Sequence, residues 1–89
     1  MAINKTHFNE KVIREIIIEI IKKVPLVNSN ITPVINVNLN KMVFNVEVSV
    51  NDDNYGVFNC LSEVQDLIYY ELSEITDNNE IIVNVRTID

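Results

Sequence analysis

One glycine, one histidine and one cysteine are all that this 89-residue chain holds of three residue types on which much site chemistry depends, and it has no tryptophan. A single glycine, Gly56, cannot build a glycine-rich phosphate loop or a dinucleotide fingerprint. It reads instead as serving a backbone conformation that other residues resist. His7 and Cys60 are too few for a His/Cys metal site. As a nucleophile and base they would meet only by tertiary accident, and Cys60 reads as a small apolar residue. A lone cysteine excludes an internal disulfide, which is compatible with a reducing compartment. Asp52-Asp53 lacks the ligand spacing and closing Glu of a calcium loop, so it reads as a solvated turn. Glu63 and Asp66 fall on an exposed helix face, where general acid–base work would lack a pocket. No catalytic residue, no metal ligand and no cofactor is expected, and the chain is not read as an enzyme. A deep pocket lined by Glu63, Tyr69 or Tyr70 would reverse that reading.

Cations are also scarce: 7 Lys and Arg stand against 13 Asp and Glu, a formal charge of −6. Nucleic acid draws most of its protein affinity from Lys and Arg at its phosphates, so nucleic acid is not expected as a partner. Anionic lipid is disfavoured for the same reason. No apolar run approaches the roughly 18 residues of a membrane span, and direct membrane insertion is not expected. Ile16–Ile18 is bracketed by Glu15 and Glu19. The opening MAINKTHFNEK has no apolar signal-peptide core, so a cytoplasmic location is expected. At 47% hydrophobic and 22% charged residues, the composition is that of one folded domain spanning 1–89. The abundance of Asn, Ile and Lys suggests an AT-rich genome, which warns against reading every Asn as functional.

What is present is alternation. In Met42–Val50 the even positions Met42, Phe44, Val46, Val48 and Val50 are apolar, and Asn45, Glu47 and Ser49 lie between them. This period-two pattern predicts a strand with one dry face. Each buried side chain contributes about 1.5–3 kcal/mol. A one-residue slip would bury Asn45, Glu47 and Ser49, so the register is fixed. Val34–Leu39 repeats the pattern, with Ile35, Val37 and Leu39 on one face and Asn36 and Asn38 on the other. Asn40-Lys41 predicts a tight hairpin turn, or a longer loop because Lys fits the second turn position poorly. Glu80–Ile88 gives the third strand, with Ile81, Val83 and Val85 inward.

Two helices complete the chain. Thr6 is the expected cap of the first, and Ile13, Ile16, Ile17, Ile20 and Val24 form its apolar stripe until Pro25 ends it. Glu19 and Lys23 are spaced for an ion pair. Asn59 is the expected cap of the second, whose inner face is Leu61, Val64, Ile68, Leu72 and Ile75. The fold expected is a single-domain α+β architecture of order α-β-β-α-β. It has a three-stranded mixed sheet, its second and third strands parallel, and both helices on one face. The opposite sheet face exposes Asn36, Asn38, Val43, Asn45, Glu47, Ser49, Ile82, Asn84 and Arg86. Ile18 falls on the polar side of the first helix, either as an incidental exposed residue or as a contact. The candidate interaction surface is thus Ile18, Val43, Asn45, Glu47, Ile82, Asn84 and Arg86.

The element order invites comparison with KH-like RNA- or ribosome-associated factors. The GXXG loop that clamps RNA in KH domains is absent, and the charge has the wrong sign. The chain more closely resembles the bacterial alkaline-shock-protein family of envelope stress response proteins. The resemblance is carried by Val46, Val48 and Val50, then Tyr55-Gly56, Ser62-Glu63-Val64, Thr76 and Val83-Asn84-Val85. Val12-Ile13, Ile16-Ile17 and Val24-Pro25-x-Val27 extend it into the first helix. Four departures stand out. Leu26 replaces the usual Gly after Pro25, and Thr76-Asp77 replaces Thr-Gly. The segment before the first strand is short, and the spacing from Tyr-Gly to Ser-Glu-Val is offset. The resemblance implies a non-enzymatic cytoplasmic protein of cell-envelope homeostasis that works through a protein partner or self-association. In some members it implies a peripheral position at the inner face of the membrane, through an integral membrane protein as anchor.

Overall fold

The computed structural model describes residues 9–51 and 56–88. The elements are α1 (Glu10–Lys22), β1 (Val34–Asn38), β2 (Val43–Val48), α2 (Gly56–Thr76) and β3 (Ile82–Thr87). This is the expected α-β-β-α-β order. The sheet runs β1-β2-β3, with β1 antiparallel and β2 parallel to β3 on its other side. β2 is therefore the central strand, which is why its alternation is the strictest in the chain.

The apolar positions of the sheet point to one side and meet both helices there. Ile35, Phe44, Val46, Val48 and Val83 are buried, together with Ile13, Ile17, Ile20 and Ile21 of α1 and Cys60, Val64, Ile68 and Leu72 of α2. Phe44, Val48, Ile13, Ile17, Val64, Ile68 and Leu72 are wholly shielded from water. The register makes this cohere: Ile35 faces Val46 on one flank of β2, and Phe44 faces Val83 on the other. Val27 and Val50 close the far end through an isolated antiparallel bridge.

Several local expectations are revised. Asn9 caps α1, its Oδ1 accepting the Val12 N–H at 2.9 Å. The expected cap, Thr6, lies outside the described residues. Glu19 pairs with Lys22 at 3.6 Å rather than with Lys23, because the helix ends at Lys22 and Lys23 is its C-cap. Ile18 is half-buried against the core rather than exposed. α2 begins at Gly56, so Asn59 lies inside the helix and does not cap it. Cys60, one turn into the helix, lies in the core.

Gly56 has no positive φ, so its flexibility is not used for a left-handed turn. Left-handed backbone occurs instead at Met42 (φ 55°) and Asp77 (φ 53°). Met42 ends the β1–β2 loop, in which Asn38 Oδ1 accepts the Lys41 N–H at 3.1 Å, so the connection is longer than two residues. The Met42 carbonyl accepts the Ile82 N–H at 3.0 Å and so anchors the start of β3. Asp77 ends α2, and the following Asn78 N–H reaches back to the Ser73 carbonyl at 3.2 Å. That bond closes the helix in a Schellman turn, where the left-handed residue is usually glycine.

Candidate interaction surface

The face of the sheet turned away from the helices is a grid set by strand register. Val34, Glu47 and Arg86 form one cross-strand row, Asn36, Asn45 and Asn84 the next, and Asn38, Val43 and Ile82 the third. Neither helix covers these rows, because both helices pack on the other face. The sequence-derived residues Val43, Asn45, Glu47, Ile82, Asn84 and Arg86 are thus brought together. Ile18 belongs to α1 and is not part of this surface.

The middle row is polar and self-satisfied in part. Asn84 donates from Nδ2 to Asn45 Oδ1 at 2.9 Å. In the first row Arg86 Nε lies 3.3 Å from Glu47 Oε2. Arg86 remains mostly exposed, so this pair contributes about 0–1 kcal/mol at most. Apolar corners flank the polar centre: Ile82 is 53% exposed and Val34 is 45% exposed. A shallow, open depression lies between Asn45, Asn84 and Arg86. Cross-strand neighbours stand within reach of one another, so the grid offers one continuous contact surface and no enclosed cavity.

Val34 is the functional candidate that sequence reading missed. It shares the parity of Asn36 and Asn38, and that parity was the available signal.

Chemistry elsewhere is limited. Cys60 is 2% exposed, and burial, with the nearby Glu63 carboxylate second, pushes its thiol above the ordinary cysteine range. A thiol held protonated in that way makes a poor nucleophile. Tyr69 Oη donates to the Asn79 carbonyl at 2.8 Å, while Tyr70 and Glu63 are exposed along α2. These residues do not converge on a pocket. Among the described residues no group of three His, Cys, Asp or Glu side chains could hold a metal ion, and no helix is long and apolar enough to cross a membrane. His7 and the Asp52-Asp53 turn lie outside the described residues.

No protein-family model, curated protein or solved structure matches the chain.

Proposed function

We propose that this is a non-enzymatic protein of cell-envelope homeostasis or stress response, similar to the alkaline-shock-protein family, that works by protein contact through the outer face of its sheet. The observation that carries the reading is the uncovered grid, with Ile82 and Val34 left half in water beside an asparagine row. Exposed apolar side chains at two corners of one flat face, on either side of a polar centre, suit a protein partner or a second copy of the chain. The motif residues behind the resemblance fit structural roles. Val46, Val48, Val64 and Val83 are core residues, Gly56 opens α2, and Thr76 ends it by donating to the Leu72 carbonyl at 2.7 Å. Under this reading the protein is cytoplasmic, and any membrane position comes through an anchoring partner.

The test compares the wild-type chain with a Val34→Lys/Ile82→Lys variant. Light scattering over a concentration series reports self-association, and affinity capture from the native cell reports partners. Both substitutions are at exposed positions, so the fold is expected to survive. Loss of self-association or of a captured partner in the variant supports the reading. A strict monomer whose captured set is the same in both forms overturns it.

A further inference from the structure

On the side of the molecule away from the grid, the two helices leave a furrow between them. Val12, Ile16 and Ile20 recur every four residues along α1 and make its apolar floor. Glu15, Glu19 and Lys23 form the neighbouring ridge at the same spacing, and Glu71 of α2 closes the other wall. A furrow beside such an i±4 ridge is the shape into which another helix packs. From Val12 to Lys23 it runs about 17 Å at 1.5 Å per residue, room for roughly three turns of a second helix.

The charge around this floor is one-sided. Glu15 and Glu19 are like charges one turn apart, which is unfavourable in the isolated helix. Glu71 adds a third carboxylate from the facing helix. Glu19 is paired with Lys22 at 3.6 Å, whereas Glu15 and Glu71 form no ion pair among the described residues. Lys23, at one end, is the only cation in the lining.

We propose that this furrow is a docking groove for a basic amphipathic helix of a partner protein. Its apolar anchors at i, i+3/i+4 and i+7 would lie on Val12, Ile16 and Ile20, and its Lys or Arg side chains would meet Glu15, Glu19 and Glu71. A cationic partner helix is the occupant that relieves the carboxylate cluster. An anionic membrane surface would be repelled by it. A second copy of this chain, itself at −6, lacks the needed charge, and α1 carries as many acids as bases. The groove is independent of the sheet face and lies on the opposite side of the sheet. A chain engaged at both would connect two partners.

The experiment uses the full chain and a fluorescein-labelled, 18-residue Leu/Lys amphipathic peptide as probe, read by anisotropy. Glu15→Gln/Glu19→Gln/Glu71→Gln is compared with a charge-matched control, Asp66→Asn/Asp77→Asn/Glu80→Gln, whose positions are exposed and lie outside both the groove and the sheet grid. The groove variant is expected to bind the peptide at least tenfold more weakly, and the control within twofold of wild type. Methyl NMR shifts should fall on Val12, Ile16 and Ile20. Equal weakening in both variants would mean non-specific attraction to an acidic protein and would overturn the proposal. So would absence of binding, equal binding of a peptide with Glu in place of Lys, or peptide-induced shifts confined to the sheet face. A peptide-free dimer that dissociates on loss of the groove acids would assign the groove to a second copy and overturn it as well.

Discussion

Replacing Asp77 by glycine should make the protein more stable, although no contact is added. Asp77 occupies the left-handed position that ends α2, with φ 53°, and the Asn78 N–H to Ser73 carbonyl bond depends on it. Left-handed backbone costs an ordinary L-residue about 1–2 kcal/mol, and Asp, which tolerates it better, sits at the low end of that range. Glycine removes this cost but loses about 0.5–1 kcal/mol more backbone entropy on folding. The conformational gain alone is therefore small, about 0–0.5 kcal/mol. A second gain comes from charge: a carboxylate beside the negative end of a helix is unfavourable by about 0.3–1 kcal/mol, and glycine removes it. Together these predict about 1 kcal/mol of added stability, or roughly 4–8 °C in Tm for a domain of this size. Denaturant unfolding of Asp77→Gly and Asp77→Asn separates the two effects. Asparagine keeps the left-handed tolerance and loses only the charge, so it should recover the salt-sensitive part. The step from Asn to Gly should be independent of salt. An Asp77→Gly variant no more stable than wild type would refute the assignment of this residue as the helix-terminating left-handed position.

Phe44 is fully buried on the central strand, so Phe44→Ala should cost about 3–5 kcal/mol in urea unfolding and leave little of the native state. The buried Cys60 thiol, raised by burial and by Glu63, should resist thiol reagents until the protein unfolds. Because its folded pKa lies above the unfolded one, the native state holds this proton more tightly. Its contribution to stability is complete below about pH 8.5 and declines as pH rises towards the folded value. Cys60→Ala should flatten that alkaline decline, measured by unfolding at pH 7 and pH 10. In a filter-binding titration at low salt the chain should retain no RNA, whereas tight, salt-sensitive retention would favour the KH-like alternative.

The strands were legible because a period-two pattern is local. Ile35, Phe44, Val46 and Val83 on one face and Asn36, Asn45 and Asn84 on the other could be read without knowing their partners. Which strand lay in the middle could not, since that depends on pairing between residues far apart in sequence. Helix ends were harder. A start at Asn59 is expected because Asn favours caps, but the helix already runs from Gly56, and Ile21 escapes the reading because the buried stripe on α1 is broader than the one the pattern traces. Gly56 was misjudged for a different reason: rarity is not evidence of a special φ. The left-handed residues, Met42 and Asp77, follow turns closed by neighbouring groups, the Asn38 side chain in one case and the Ser73 carbonyl in the other. Six of the seven surface candidates share strand faces and could be inferred together. Glu15, Glu19 and Glu71 could not, because they approach one another only after two separate helices pack.

The parallel pairing of β2 with β3 has a consequence during synthesis. Asn45 and Asn84, hydrogen-bonded across that pair, are separated by 39 residues of chain. At about 5–20 residues per second, a ribosome needs roughly 2–8 s to make that stretch. The β1–β2 hairpin can form early, but one whole edge of β2, with Phe44 and Val46 beside it, has no strand to close it in that interval. Until β3 pairs, the hairpin has that open edge available to other chains, and the docking of β3 is what ends the exposure.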